Sequence, residues 1–285
     1  MTAERDDATI GPVGPGTWHI LRFTRYQRML HGFLMLSFLG LAGTGLPLLF
    51  SETEWARVVA RLWGGFVVAG LLHRFFALVL IGVFVLHVWG LLRRIVVQKE
   101  LSVLWGPASM APQPRDVLEM MQHFRWFFGV GPRPRFDHFT YWEKFDYWAV
   151  FWGMGIIGGS GLLLWFPEFF ASFLPGWMFN IAMLVHGEEA LLAVGFIFTI
   201  HFFNGHLRPD KFPMDLVIFT GRVDAHEFAV ERQAEHQRLL AEGRLEAHLG
   251  SPPSATLARM GRTVGTVAVT VGLSIVALIL YAVFS

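Results

Sequence analysis

Four of the twelve histidines form two similarly spaced pairs: His73 and His87, 14 residues apart, and His186 and His201, 15 apart. Both pairs lie in apolar stretches. At about 100° and 1.5 Å per residue, steps of this size advance an α-helix by about 21–22 Å and return to within roughly 40–60° of the starting face. Each pair therefore lines one face of its helix, with one imidazole toward each end of a membrane crossing. An interhelical hydrogen bond accounts for any single membrane histidine. Four at matched depths suit another chemistry. If the two helices run in the same direction, His73 is level with His186 and His87 with His201, and each facing pair can grip a haem iron from both sides. Such bis-imidazole ligation leaves no axial position open, which favours electron transfer over oxygen or peroxide chemistry. The two irons are then about 20 Å apart.

A fifth histidine complicates the second level. His31 lies at the depth of His87 and His201, so either His31 or His87 can be the partner of His201. The one left over can bind quinone, donate to a propionate or ligate a further haem. His206 follows His201 by little more than a turn and reads as interfacial, and the loop histidines read as solvated or capping residues.

Flat macrocycles need neighbours without bulk. The first apolar stretch supplies Gly40, Gly43 and Gly45, and the third supplies Gly153, Gly155, Gly158, Gly159 and Gly161. These glycines serve equally for close helix packing. Arg74, beside His73, is costly within a span without an anionic partner. A haem propionate is one such partner, and Glu52 or Glu54 is the other.

The elements that carry these residues follow from hydropathy. The 285 residues are 54% hydrophobic and only 16% charged, which is too apolar for an ordinary soluble domain. Crossing the hydrocarbon takes about 20 helical residues. Spans are expected at about Arg28–Phe50, Gly70–Ile95, Trp148–Phe166, Phe179–Phe203 and Val264–Phe284, with a short interfacial helix from Leu62 onward. Of 23 Lys and Arg residues, 20 fall in the N-terminal arm, Arg93–Lys144 or Arg208–Arg262. The positive-inside rule then puts the N-terminus in the cytoplasm and the C-terminus in the periplasm. The first 18 residues carry no apolar core of a cleavable signal, so the first span is expected to act as the insertion signal. A net charge of +1 gives no reason to expect nucleic acid as a partner. With no cysteine, thiolate metal sites and covalently attached haem are excluded.

The expected fold is thus an all-α membrane protein: a four-helix haem-binding bundle over residues 28–206, then a fifth transmembrane helix over 261–285. Residues 1–27 form a cytoplasmic arm and 97–146 a cytoplasmic loop. Residues 207–260 form a cytoplasmic linker with a charged helix over Ala225–Leu249. Asp116–Phe128 reads as a helix lying on the inner membrane surface. No internal repeat is apparent. Polar groups able to serve a quinone occur at Glu188 and Glu189 near the outer face, and at Glu143, Lys144 and Asp146 with Arg22, Arg25 and His31 near the inner face. The inner group is favoured for its extra histidine. Helix-end anchoring explains either group as well.

The His-x13-His and His-x14-His spacing resembles the four-helix core of cytochrome b in quinol–cytochrome c reductases, which implies His73 with His186 and His87 with His201. The segments RFTRYQRMLHGFLMLSFLGLAGTGLPL, LLHRFFAL, YWEKFDYWAVFWGMGIIGGSGLLLWFP and HGEEALLA more closely resemble the cytochrome b (gamma) subunit of respiratory formate dehydrogenases, over Arg22 to about Arg208. That resemblance implies a ligand from the first helix, His31, together with His73, His186 and His201, and leaves His87 as an extra. HLRPDKFPMDLVIFTGRV is similar to cytochromes that accompany multihaem c-type cytochromes. Together the resemblances imply two non-covalent haem b groups, exchangeable quinone and a place in a multisubunit complex in the bacterial inner membrane. The expected activity is electron transfer between quinone and a periplasmic multihaem cytochrome c or other redox subunit. A membrane anchor for a periplasmic molybdoenzyme or hydrogenase is the alternative. A haemless transporter or structural subunit is a third reading, for which inverted repeats or a broken-helix midplane site would be expected.

Overall fold

A computed structural model describes residues 18–284 of the chain; the first 17 residues of the expected cytoplasmic arm lie outside the described residues. The chain is mostly helical (74%), with one three-stranded sheet of short strands as the exception. Among the described residues, five helices are long and apolar enough to cross a membrane: Arg25–Leu49, Phe66–Val97, Tyr141–Trp165, Trp177–Leu207 and Ala255–Ala282. Apolar side chains such as Leu71, Leu78, Val85, Trp89, Met183 and Leu192 stay exposed along them, as expected of surfaces that meet lipid.

The chain divides into two compact units. One comprises Met29–Gly90, Asp146–Asp215 and the chain from Arg262. Its elements begin with α1 (Arg25–Leu49), the short α2 (Glu54–Leu62) and α3 (Phe66–Leu92), which continues as a wider π turn over Arg93–Val97. The short helix therefore ends at Leu62 instead of beginning there. Thr53 caps its start by accepting from the Ala56 amide, and Gly64 (φ 94°) and Gly65 (φ 98°) turn the chain into α3, a left-handed conformation that favours glycine. Trp63, between them, donates from Nε1 to the Gly43 carbonyl at 2.9 Å.

The third span is interrupted. Helix α5 (Tyr141–Gly153) passes through a π turn at Met154–Gly158 into α6 (Gly159–Trp165). After α7 (Pro167–Ala171), the fourth span runs as α8 (Trp177–Phe196) and ends in two further π turns, Ile197–His201 and Phe203–Leu207. A π turn leaves the regular i−4 ladder and often marks a functional position. The last span belongs to α13 (Ala255–Phe284); labels α9 to α12 are used for the helices before it. The core of this unit joins Ala42 and Leu46 of α1, Val194, Phe198 and Phe202 of the fourth span, and Ile275 of α13. Gly272 lets α13 approach closely, because a Cβ there would lie 2.6 Å from the rings of both Phe198 and Phe202.

The second unit gathers residues 18–28, Leu91–Phe145 and Leu216–Gly261. Strand β1 (His19–Leu21) lies between β2 (Arg222–Asp224) and β3 (Leu249–Gly250), antiparallel to both, with Ile20 opposite Val223 and Leu249. Its core is Ile20, Val223, Phe228 and Leu239. Helix α4 (Pro114–Phe127) starts at a reciprocal cap between Gln113 and Asp116, with Pro114 at the first position, where a missing N–H costs nothing. In place of one helix over Ala225–Leu249 there are four-residue α9 (Val217–Thr220) ahead of β2, then α10 (Ala225–Glu231), α11 (Gln233–Ala241) and α12 (Leu245–His248). The breaks fall at Arg232 (φ −117°, ψ 50°) and Gly243 (φ 64°).

Buried ion pairs hold this unit together. Arg22 reaches Glu235 at 3.0 Å, Arg232 reaches Glu143 at 2.8 Å, and Lys144 meets Asp116 at 2.7 Å. His138 bonds the second oxygen of Glu235 at 2.5 Å. Charges taken from water are tolerated when paired in this way.

Candidate functional site

The first level is built by α3 and α8. The ring centroids of His73 and His186 are 6.2 Å apart, with the planes at 80°. A ring nitrogen sits about 2 Å from a metal it ligates, so two imidazoles on opposite sides of one ion have centroids about 6 Å apart. The Nδ1 atom of each ring is already occupied. His186 Nδ1 lies 3.0 Å from the Ile157 carbonyl and 3.3 Å from Ser160 Oγ, and His73 Nδ1 lies 3.2 Å from Thr44 Oγ1. A carbonyl can only accept, so Nδ1 of His186 carries the proton and Nε2 keeps its lone pair. The Nε2 atoms of both rings make no hydrogen bond among the described residues.

Two glycines make room for the rings. A Cβ on Gly45 would stand 2.8 Å from Cε1 of His73, and one on Gly161 would stand 3.0 Å from Cε1 of His186. The remaining glycines divide by use. Gly40 admits the Phe76 ring, while Gly155 and Gly159 have nothing within 4 Å of the position a Cβ would take.

At the second level the geometry separates the candidates. His201 Nδ1 is 2.9 Å from Asp146 Oδ2, the carboxylate–imidazole arrangement that fixes the tautomer of a metal-ligating histidine. His87 is engaged elsewhere: its Nε2 is 2.9 Å from the Tyr147 hydroxyl, and its ring packs edge-on against Tyr147 and Phe151. Asp146 and Tyr147, adjacent on α5, thus hold different histidines.

Arg74 forms no ion pair with Glu52 or Glu54; Glu54 pairs with Arg57 at 2.6 Å. The Arg74 guanidinium lies 5.7 Å from the centroid of the Trp165 ring and makes no hydrogen bond among the described residues. Of the carboxylates considered for a quinone, Glu143 is bound to Arg232 and to the Thr140 amide at 2.8 Å each. Lys144 is bound to Asp116, and Arg22 to Glu235. Near the other group, Glu189 accepts from Trp152 Nε1 at 3.3 Å. Sequence reasoning missed Thr44, Ser160 and Tyr147. For the first two the available signal was a hydroxyl residue followed by glycine, Thr44-Gly45 and Ser160-Gly161, at like positions in two spans; Tyr147, followed by Trp148, had no such signal.

Among the described residues, no three or more His, Cys, Asp or Glu side chains gather into a site for a bare metal ion. The facing pair His73–His186 would fit haem, whose porphyrin supplies the other four donors. Comparison with models of known protein families and with curated proteins found no match.

Proposed function

We propose that the chain is a b-type di-haem cytochrome of a bacterial inner membrane, passing electrons between the quinone pool and a periplasmic redox partner such as a multihaem cytochrome c. The observation that carries this reading is the His73–His186 pair, at the separation a shared metal requires, with Nδ1 engaged and Nε2 left to ligate.

In this reading His73 and His186 hold one haem near the outer face. His31 and His201 hold the other near the inner face, with Asp146 orienting His201. His31 takes this place over His87 because the Nε2 of His87 is committed to Tyr147. Haem held by these imidazoles would supply reversible one-electron exchange. Thr44, Ser160, the Ile157 carbonyl and Asp146 engage the Nδ1 atoms of His73, His186 and His201. Arg74, without an acidic partner, suits a propionate. The excess of Lys and Arg in alternate loops supports a cytoplasmic N-terminus and, after five spans, a periplasmic C-terminus.

Glu143, Lys144 and Arg22 are consumed in ion pairs. The His87–Tyr147 pair, which keeps one N–H or O–H beyond its mutual hydrogen bond, therefore becomes the favoured donor for a quinone carbonyl, bordered by Phe84, Phe151 and Trp148. Anaerobic addition of a short-chain quinol to the purified, oxidised protein tests the function. A reduced b-type α-band that develops within the mixing experiment is expected; spectra unchanged after prolonged incubation overturn the quinone assignment.

A further inference from the structure

Thr44 of α1 and Ser160 of α6 occupy equivalent places around the two facing imidazoles. Each hydroxyl donates to the carbonyl four residues earlier in its own helix, Thr44 to Gly40 at 2.6 Å and Ser160 to Ile156 at 2.7 Å. Each also contacts the carbonyl three residues earlier, Leu41 at 3.4 Å and Ile157 at 3.1 Å. The Ile157 carbonyl is also the backbone partner of His186 Nδ1, at 3.0 Å. Each hydroxyl residue is followed by the glycine whose bare Cα the ring approaches, Gly45 and Gly161.

This register determines the proton positions. A hydroxyl has a single hydrogen, and a donor directed at its own helix leaves lone pairs to face Nδ1. Both hydroxyls are buried, Thr44 fully so, and no charged side chain hydrogen-bonds to either. At His186 the Nδ1–H meets a carbonyl and a hydroxyl lone pair together, and at His73 it meets the Thr44 hydroxyl lone pair, which favours one tautomer and one ring plane in each. At His186 the opposite tautomer would bring two acceptors against a bare nitrogen.

We infer that Thr44 and Ser160 are a matched pair of positioning residues, which set the tautomer and donor strength of His73 and His186 and through them the reduction potential of the iron the two rings share. The inference rests on the haem reading above. Acceptors on the far nitrogen of a ligating imidazole raise its basicity and so favour the oxidised iron. Loss of one acceptor shifts the balance toward the reduced form.

The test is a potentiometric titration of the purified full-length protein, followed optically, for wild type, Thr44→Val, Ser160→Ala and the double variant. Thr44→Ser and Ser160→Thr, which keep the hydroxyl, serve as controls. The expected result is two b haems per chain throughout, with one midpoint raised in the hydroxyl-free variants and the other unmoved. A tenfold change in the oxidation–reduction equilibrium corresponds to about 59 mV for one electron, and the double variant should reach that size. The conservative controls should titrate as wild type. If either hydroxyl-free variant loses a haem, a wild-type midpoint in its hydroxyl-bearing control still supports the inference. Unmoved midpoints in a fully loaded double variant overturn it while leaving the haem assignment intact. A wild-type protein without haem overturns both.

Discussion

Asp146 accepts from Nδ1 of His201 at 2.9 Å, while its other oxygen, Oδ1, is buried without a partner. The pair joins the third span to the fourth, and the carboxylate holds a proton of His201 on Nδ1, which leaves Nε2 for the proposed haem. Asp146→Asn can turn an amide N–H toward Nδ1 and favour the opposite tautomer, with the proton on the would-be ligating nitrogen. Loss of such an outer partner typically costs about 10–100-fold in affinity. We expect Asp146→Asn to bind one haem normally and to release the other during gel filtration, measured as haem per chain. Full retention would show that the carboxylate does not govern ligation.

The seats beneath the first-level rings give a sharper contrast. Gly45→Ala and Gly161→Ala place a methyl group 2.8 and 3.0 Å from an imidazole carbon, and overpacking of this kind costs about 1–3 kcal/mol. Gly155→Ala meets nothing within 4 Å. The first two substitutions should lower haem content and thermal midpoint together, and the third should change neither. Equal behaviour of all three would mean that these glycines serve general helix packing.

His87 is 14 residues from His73, yet its Nε2 is held by Tyr147 at 2.9 Å. His87→Leu and Tyr147→Phe should therefore keep two haems per chain and slow reduction by quinol several-fold. Loss of a haem in His87→Leu would return His87 to the ligand set in place of His31.

Glu119 on α4 provides a pH-dependent prediction in the other unit. Burial pushes its carboxyl up to about 7, partly offset by Arg115 and Lys144 and reinforced by Asp116 and Asp137, and Oε2 has no hydrogen-bond partner. A carboxyl that holds its proton more tightly when folded makes the native state bind more protons than the unfolded chain, so stability falls as pH rises from its ordinary value, about 4.5, through about 7. Thermal melts between pH 5 and pH 8 should show a decline that is smaller in Glu119→Gln. An identical pH slope in the variant would assign the decline to another group.

Hydropathy made the five spans legible, because crossing hydrocarbon imposes a length and an apolarity that local sequence must satisfy by itself. The proximity of His73 to His186 was legible for a related reason: helical rise converts residue number into depth. Azimuth was not. Helical rise does not reveal that α5 turns Asp146 toward His201 and Tyr147 toward His87. The break at Arg232 was equally hidden, since its guanidinium is bound to Glu143, 89 residues away. No repeat was visible in the chain as a whole. The Thr44-Gly45 and Ser160-Gly161 echo gains meaning only once both hydroxyls are seen against equivalent imidazoles.

The central claim is that two pairs of imidazoles each hold one haem. Pyridine haemochrome assay of the purified protein, wild type beside His186→Ala, measures it most directly. The account predicts two haem b per chain in the wild type and one in the variant; a wild type with no haem absorbance, or a variant that still carries two, contradicts it.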